Sequence, residues 1–240
     1  MLFLFDIDGT LLHGMPPAHR MALCDAAEEI YGVKPLPRHL GKTAGLTDSV
    51  IARRMLLDAG VPPEEIVPGL HAFYAAAADA YERHVPSDLC PYYTPHVVET
   101  LEWLREQGAL LALVTGNIER IAWRKLAAAG LDAYFLFGAF GDEAESRDEL
   151  PPKAIRRAEQ RFERAFSRDA VYVVGDTPAD IACGVNSQLR TIAVATGPEH
   201  SLAELSNCHP DIALHDLGEL SSLPLFGEAS ADMSANTRAG

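Results

Sequence analysis

Residues 3–12 read FLFDIDGTLL, a short apolar run that ends in two aspartates, Asp6 and Asp8, followed by Gly9 and Thr10. The run predicts a first buried strand. Finishing it with Asp-x-Asp brings two like charges together where burial costs several kcal/mol unless a cation compensates them. The stretch therefore asks for a cation, a reaction, or both. Read alone, it could also be an acidic turn in which Gly9 and Thr10 only shape the backbone.

Working outward, the next strand-like runs end in the same way. ALLALVTGN (109–117) closes on Thr115, Gly116 and Asn117, and VYVVGD (171–176) closes on Gly175 and Asp176, with Asp180 following. Apolar runs at AYFLFGAF (133–140) and TIAVAT (191–196) add two more strands. Helical periodicity fills the intervals. TPHVVETLEWLREQG (94–108) has Thr94 as N-cap, Pro95 at the first position and Gly108 as the stop. A helix runs from Ile118 to about Gly130, another over PPKAIRRAEQRFERAF (151–166), and a third starts at PADIACGVNS (178–187). Strand–helix alternation predicts an α/β fold, a doubly wound parallel sheet covered on both faces. In such sheets ligands bind outside the carboxyl ends of the strands, where these polar residues converge.

Residues 14–88 read differently. AHRMALCDAAEEIYG stops at Gly32. TDSVIARRMLLDAG offers Thr47 or Asp48 as N-cap and stops at Gly60. PGLHAFYAAAADAYERHV starts with Pro68 in its first turn and carries Phe73, Tyr74 and Tyr81 on one stripe. Nothing there reads as a strand, and Pro-rich hinges flank it. The expected organisation is an α/β core at 1–13 and 89–225, an inserted α-helical cap at 14–88, and a disordered tail at 226–240. The loop GKTAGLTD (41–48) precedes a cap helix, which makes Lys42 and Thr43 possible substrate contacts.

Composition narrows the function. A net charge of −14 disfavours nucleic acid or an anionic membrane as partner. MLFLF runs straight into Asp6 without a basic segment and reads as a strand rather than a signal peptide, so a cytoplasmic protein is expected. Cys24, Cys90, Cys183 and Cys208 lie far apart with no Cys-x-x-Cys, which fits free thiols. The nine histidines show no metal-ligand spacing. Oligomeric state is not readable from the chain.

Asp6, Asp8, Asp176 and Asp180 make an oxygen-rich set suited to Mg²⁺. Gly9 and Gly175 permit tight turns, and Thr115 adds a hydroxyl donor. A carboxylate can attack phosphorus, and a second one two residues on can handle the proton. DIDGTLL, LVTGN and VVGDTPADI, in this order behind apolar strands, resemble three motifs of the haloacid dehalogenase superfamily. The helical insert resembles that family's subfamily I cap, as in phosphoglycolate phosphatase and β-phosphoglucomutase. The resemblance implies Asp6 as nucleophile and Mg²⁺ ligand, and Asp8 as general acid and base with its carbonyl on the metal. Thr10 holds the loop, and Thr115 with the Gly116 and Asn117 amides binds the phosphoryl group. Asp176 is then a metal ligand and Asp180 a direct or more distant one. The remaining motif, a cation, falls in SRDELPPKAIRRAEQ (146–160), with Lys153 the first choice and Arg147 the rival.

The function so implied is a Mg²⁺-dependent phosphatase that hydrolyses a small phosphomonoester through an aspartyl-phosphate. A phosphomutase of the β-phosphoglucomutase kind is the alternative, and a phosphonatase-like hydrolase a more distant one. Dehalogenase chemistry is disfavoured, because those relatives lack the second aspartate that Asp8 supplies.

Overall fold

The computed structural model describes residues 1–226, the side chain of His39 excepted. Six strands form one parallel sheet in the order β3-β2-β1-β4-β5-β6. They are β1 (Leu2–Phe5), β2 (Leu110–Val114), β3 (Gly138–Ala139), β4 (Val171–Gly175), β5 (Arg190–Val194) and β6 (Ile212–Leu214). The sheet is covered on both faces, which is why β1 is apolar at every position. Phe3 and Phe5 pack with Leu111, Leu113, Val174 and Ile192 on one face. Leu2 and Leu4 pack with Ala112, Val114, Val171 and Val173 on the other.

The order of strands reverses between β1 and β4, whose carboxyl ends carry Asp6–Asp8 and Asp176. The crevice outside that reversal is where such sheets bind ligands. The helices of this layer are α4 (Val97–Glu106), α5 (Glu119–Ala128), α6 (Leu150–Phe162), α7 (Pro178–Asn186) and α8 (Leu202–Ser206).

Several local expectations need correction. β6 has no counterpart in the sequence reading, because three residues at a sheet edge carry too little pattern. AYFLFGAF yields only the two residues of β3, preceded by a 3₁₀ turn at Asp132–Tyr134. Thr94 does not cap α4: His96, in the left-handed region at φ 60°, occupies that position. The Thr94 hydroxyl instead donates to the carbonyls of Thr10 and Leu11, at 2.7 and 3.2 Å. It thereby ties the loop after β1 to the return of the chain. Phe226, expected in a disordered tail, packs its ring 5.3 Å from Trp103 and 6.3 Å from Phe3. The rest of that tail, 227–240, lies outside the described residues.

Between β1 and α4 the chain forms α1 (Ala18–Tyr31), α2 (Asp48–Asp58) and α3 (Pro63–His84) and no strand. α3 begins before the expected start, so Pro68 lies inside the helix rather than at its entry. Thr47 is the N-cap of α2, its hydroxyl accepting from the Val50 amide. Leu23, Ala27, Leu56, Leu70, Phe73 and Tyr81 build a second apolar cluster, which also takes in Ile118 and Ile121 at the start of α5. The helical segment is thus seated on the sheet's carboxyl edge by apolar burial. Its two ends are paired, since the His13 amide donates to the Tyr92 carbonyl and Thr94 to Leu11. All four cysteines are free. No helix of the described residues is long and apolar enough to cross a membrane.

Candidate active site

A cavity of about 350 Å³ lies between the strand ends and the helical segment. Its floor carries Asp6, Asp8, Gly116, Asn117, Arg147 and Asp176, and its roof includes His19, Arg20, Thr43, Leu46, Ile51 and Tyr81. Residues more than a hundred positions apart therefore meet, as the strand ends predict.

Backbone geometry makes the meeting possible. Gly9 adopts φ +91°, and a Cβ there would collide with the Asp176 carboxylate, so glycine is required on both counts. Thr10 is buried and donates from Oγ1 to Asp176 Oδ1 at 3.1 Å, which locks the loop after β1 to the end of β4. Gly116 plays a related part at the roof, since a side chain there would strike the Leu46 carbonyl.

Asp6, Asp176 and Asp180 each offer a carboxylate oxygen within 4.8 Å of the others, and all three are buried. Arg147, also buried, reaches Asp6 at 3.1 Å and hydrogen-bonds Asp180 Oδ1. Asp180 Oδ2 accepts from the Thr177 amide and hydroxyl at 3.0 and 2.6 Å. The oxygens of Asp180 are thus committed to carrying Arg147 and starting α7.

Lys153, the first choice for the cation, is placed elsewhere. Its ammonium donates to the Glu143 carbonyl and lies 3.5 Å from Glu149. The physical reason is position: Lys153 sits a turn into α6, whereas Arg147 lies in the 3₁₀ turn before it, beside α7. Lys42 is exposed and does not line the cavity; Thr43 does, and accepts from Arg20 Nη1 at 3.5 Å.

The other half of the floor holds a group that the sequence reading did not find. Lys125 on α5 is 1% exposed. Its Nζ lies 2.7 and 2.6 Å from the two Asp8 oxygens, 2.5 Å from Asn117 Oδ1 and 3.2 Å from His19 Nδ1. Asn117 Nδ2 donates in turn to Asp8 Oδ2 at 2.8 Å and to Thr115 Oγ1 at 2.7 Å. The Asn117 side chain therefore orients Asp8, beyond the backbone role expected of it. His19 Nε2 lies 2.9 Å from Asp48 Oδ2, which also accepts from the Ile118 amide at 2.7 Å. A signal for Lys125 was present: it follows Ile121 by four residues and precedes Leu126, on the buried face of α5.

The two aspartates near the start of the chain sit in opposite electrostatic settings. Burial pushes Asp6 up to about 6, with Asp180 and Asp8 adding to the rise while Arg147 and the Thr115 hydroxyl oppose it. Burial, joined by Asp180 and Asp6, pushes Asp176 up to about 8. Burial is also the largest influence on Asp8. There, however, the Lys125 charge, the neighbouring His19 and the hydrogen bonds from Lys125 and Asn117 together outweigh it and hold Asp8 below the usual carboxylate range. Around this floor two cations, Arg147 and Lys125, face four carboxylates. With all four ionised, two negative charges are left over. A hard divalent cation fits that surplus and that all-oxygen donor set.

Residues 1–187 match the profile of the haloacid dehalogenase-like hydrolases. The chain belongs to that family. Within the haloacid dehalogenase-like family, it is similar to phosphoglycolate phosphatase 1 of Pseudomonas aeruginosa, with 27% identity over 236 residues, 95% of this chain and 80% of that protein. It is also similar to the phosphoglycolate phosphatase of Rhodobacter capsulatus, with 27% identity over 221 residues, 90% of this chain and 95% of that one. Among solved structures, the fold resembles a predicted phosphoglycolate phosphatase from Haemophilus somnus (TM-score 0.65, 19% identity, 92% of this chain and 96% of that one). It resembles too a candidate β-phosphoglucomutase from Bacteroides vulgatus (TM-score 0.61, 19% identity, 92% and 86% covered).

Proposed function

We propose that the chain is a Mg²⁺-dependent phosphatase that hydrolyses a small phosphomonoester through an aspartyl-phosphate on Asp6, with the helical segment 14–88 acting as its cap. The observation that carries the reading is the floor itself: a buried Asp6 beside Asp8, Asp176 and Arg147, two charges short of neutrality, under a cavity of about 350 Å³. A chamber of that size suits a metabolite rather than a phosphoprotein. The names of its relatives make 2-phosphoglycolate the first ester to try. Four free thiols suit a reducing, cytoplasmic setting.

In this reading an Asp6 oxygen bonds to phosphorus as the ester P–O bond breaks, and the leaving oxygen takes a proton delivered through Asp8. Water then bonds to phosphorus, Asp8 takes its proton, and the Asp6–phosphorus bond breaks. Thr115 and the amides of Gly116 and Asn117, at the end of β2, are the groups assigned to the phosphoryl oxygens, with Arg147 as their cation. Mg²⁺ would be held by Asp6, Asp176 and the Asp8 carbonyl, with Asp180 behind them, and would supply positive charge against the phosphoryl oxygens. Because Lys125 favours the anionic form of Asp8, the half-reaction this geometry assists most is activation of water.

The test is inorganic phosphate release from a panel of phosphometabolites, with Mg²⁺ and with EDTA. Metal-dependent release from at least one small ester is expected. No release from any ester would sink the phosphatase reading, and conversion of β-glucose 1-phosphate to the 6-phosphate would replace it with a mutase.

A second expectation concerns stability. Asp6 and Asp176 titrate above the unfolded carboxylate range, so without metal the folded state binds more protons than the unfolded one from about pH 4 to about pH 8. Their contribution is present below the unfolded pKa and is lost as pH rises through the folded values. In EDTA the thermal midpoint should therefore fall between pH 5.5 and about 8.5, and the gain on adding Mg²⁺ should be larger at the higher pH. Equal Mg²⁺ gains at both pH values, measured by calorimetry, would contradict the proposed cation site.

A further inference from the structure

Lys125 is a buried ammonium that belongs neither to the groups assigned to the phosphoryl oxygens nor to the cation site. Fully buried lysines are rare unless paired, and an apolar residue would pack the inner face of α5 better. An ammonium has three N–H donors and no acceptor. Here they are directed at Asp8, Asn117 Oδ1 and His19 Nδ1, all lining the cavity, and none serves a backbone carbonyl.

The contacts also fix the state of His19. Because Lys125 can only donate, His19 Nδ1 accepts, and Nε2 carries the proton that faces Asp48. His19 is on α1 and Asp48 on α2, both in the helical segment, whereas Lys125 and Asp8 belong to the sheet layer. Asp48 returns to that layer through the Ile118 amide, and its own amide donates to the Gly116 carbonyl at 2.7 Å. A continuous chain of hydrogen bonds thus runs from the cap to Asp8 and back to the start of α5.

We propose that Lys125 is a positioning residue for the Asp8 carboxylate, and that His19 makes this positioning depend on the cap being seated on the core. The inference rests on the phosphatase reading for its catalytic consequence. With the cap lifted, Lys125 loses the His19 acceptor and is tethered by Asn117 Oδ1 alone, so Asp8 keeps the Asn117 amide and an ammonium with more freedom. With the cap seated, the ammonium is held from three directions and fixes the orientation of Asp8. Asp8 is then held most firmly when the chamber is closed over a substrate.

The experiment uses the full chain with Mg²⁺ and p-nitrophenyl phosphate, separating kcat from KM. Lys125→Met is expected to lower kcat about 10²-fold while KM moves less than about threefold, since Thr115, Gly116 and Arg147 remain in place. Added ethylammonium should restore part of the kcat lost in Lys125→Ala. His19→Ala is expected to lower kcat about tenfold alone but less than about twofold in the Lys125→Met background, because both act on Asp8 by one route. Unchanged kcat in Lys125→Met, a loss confined to KM, or losses that multiply would overturn the proposal. If the wild type cleaves no ester, the phosphatase reading fails and the seating is judged by amide exchange at Ile118. Faster exchange in both His19→Ala and Lys125→Met supports it, and unchanged exchange overturns it.

Discussion

Asp6→Asn is expected to lower Mg²⁺-dependent phosphate release by on the order of 10⁴-fold or more while leaving the fold at least as stable. The two halves follow from different properties of one side chain. An amide is nearly the same size as a carboxylate but cannot serve as the nucleophile toward phosphorus, so the covalent route closes. The same substitution removes a charge that burial, Asp180 and Asp8 all oppose, which is why Asp6 sits up at about 6 without metal. Arg147 keeps Asp180 as its partner in the variant. The metal-free thermal midpoint of Asp6→Asn should therefore equal or exceed that of the wild type. Activity loss accompanied by a large drop in midpoint would point to a structural role for Asp6.

Arg147→Met is expected to destabilise the chain by about 3–5 kcal/mol in the absence of metal, measured by urea unfolding. The guanidinium is buried, lies 3.1 Å from Asp6 and hydrogen-bonds Asp180, so its removal leaves two buried carboxylates facing each other and Asp176. Losing one member of a buried charge network costs more than the network contributes as a whole, because the survivors are left unpaired. Adding Asp180→Asn should therefore recover part of the loss. Lys153→Met provides the contrast. Its ammonium is partly solvated and rests on a carbonyl and on Glu149, so a change within about 1 kcal/mol is expected. Equal effects at Arg147 and Lys153 would contradict the placement of the cation.

The parts of this molecule that the sequence made legible are those written locally. The central strands β1, β2 and β4 announce themselves as apolar runs, and the polar residues just past them, Asp6, Asp8, Thr115 and Asp176, belong to the same stretches of chain. Parallel topology then forces them to one edge. The parts that were not legible depend on how separate segments meet. Choosing between Arg147 and Lys153 needs the angle at which α6 leaves its preceding turn, which no periodicity encodes. His19 and Asp48 each look like ordinary polar residues near helix starts, and only the seating of α1 and α2 on α5 brings them to Lys125. Lys125 itself stood on an apolar stripe beside Ile121 and Leu126, where a charged residue asks for a partner. Thr94 shows the opposite error: it has the right chemistry for an N-cap, but its hydroxyl is taken up by the Thr10 and Leu11 carbonyls.

The site as a whole is a balance between two kinds of carboxylate. Asp6 and Asp176 are held where burial and neighbouring carboxylates make charge unwelcome, a setting that the proposed cation would relieve. Asp8 is held as an anion by Lys125 and Asn117, which suits it to accept a proton. Two aspartates separated by a single isoleucine thereby receive different electrostatic settings, which the proposed nucleophile and base would use.

The most direct test of the account is to find the phosphoryl group on the protein. The chain is mixed with a hydrolysed ester and Mg²⁺, quenched in acid during turnover, digested and examined by mass spectrometry. The account predicts one added phosphoryl group on the peptide that contains Asp6, labile to hydroxylamine and absent from Asp6→Asn and from samples in EDTA. A phosphoryl group on a different residue, or phosphate release that persists in Asp6→Asn with no labelled peptide, would contradict it.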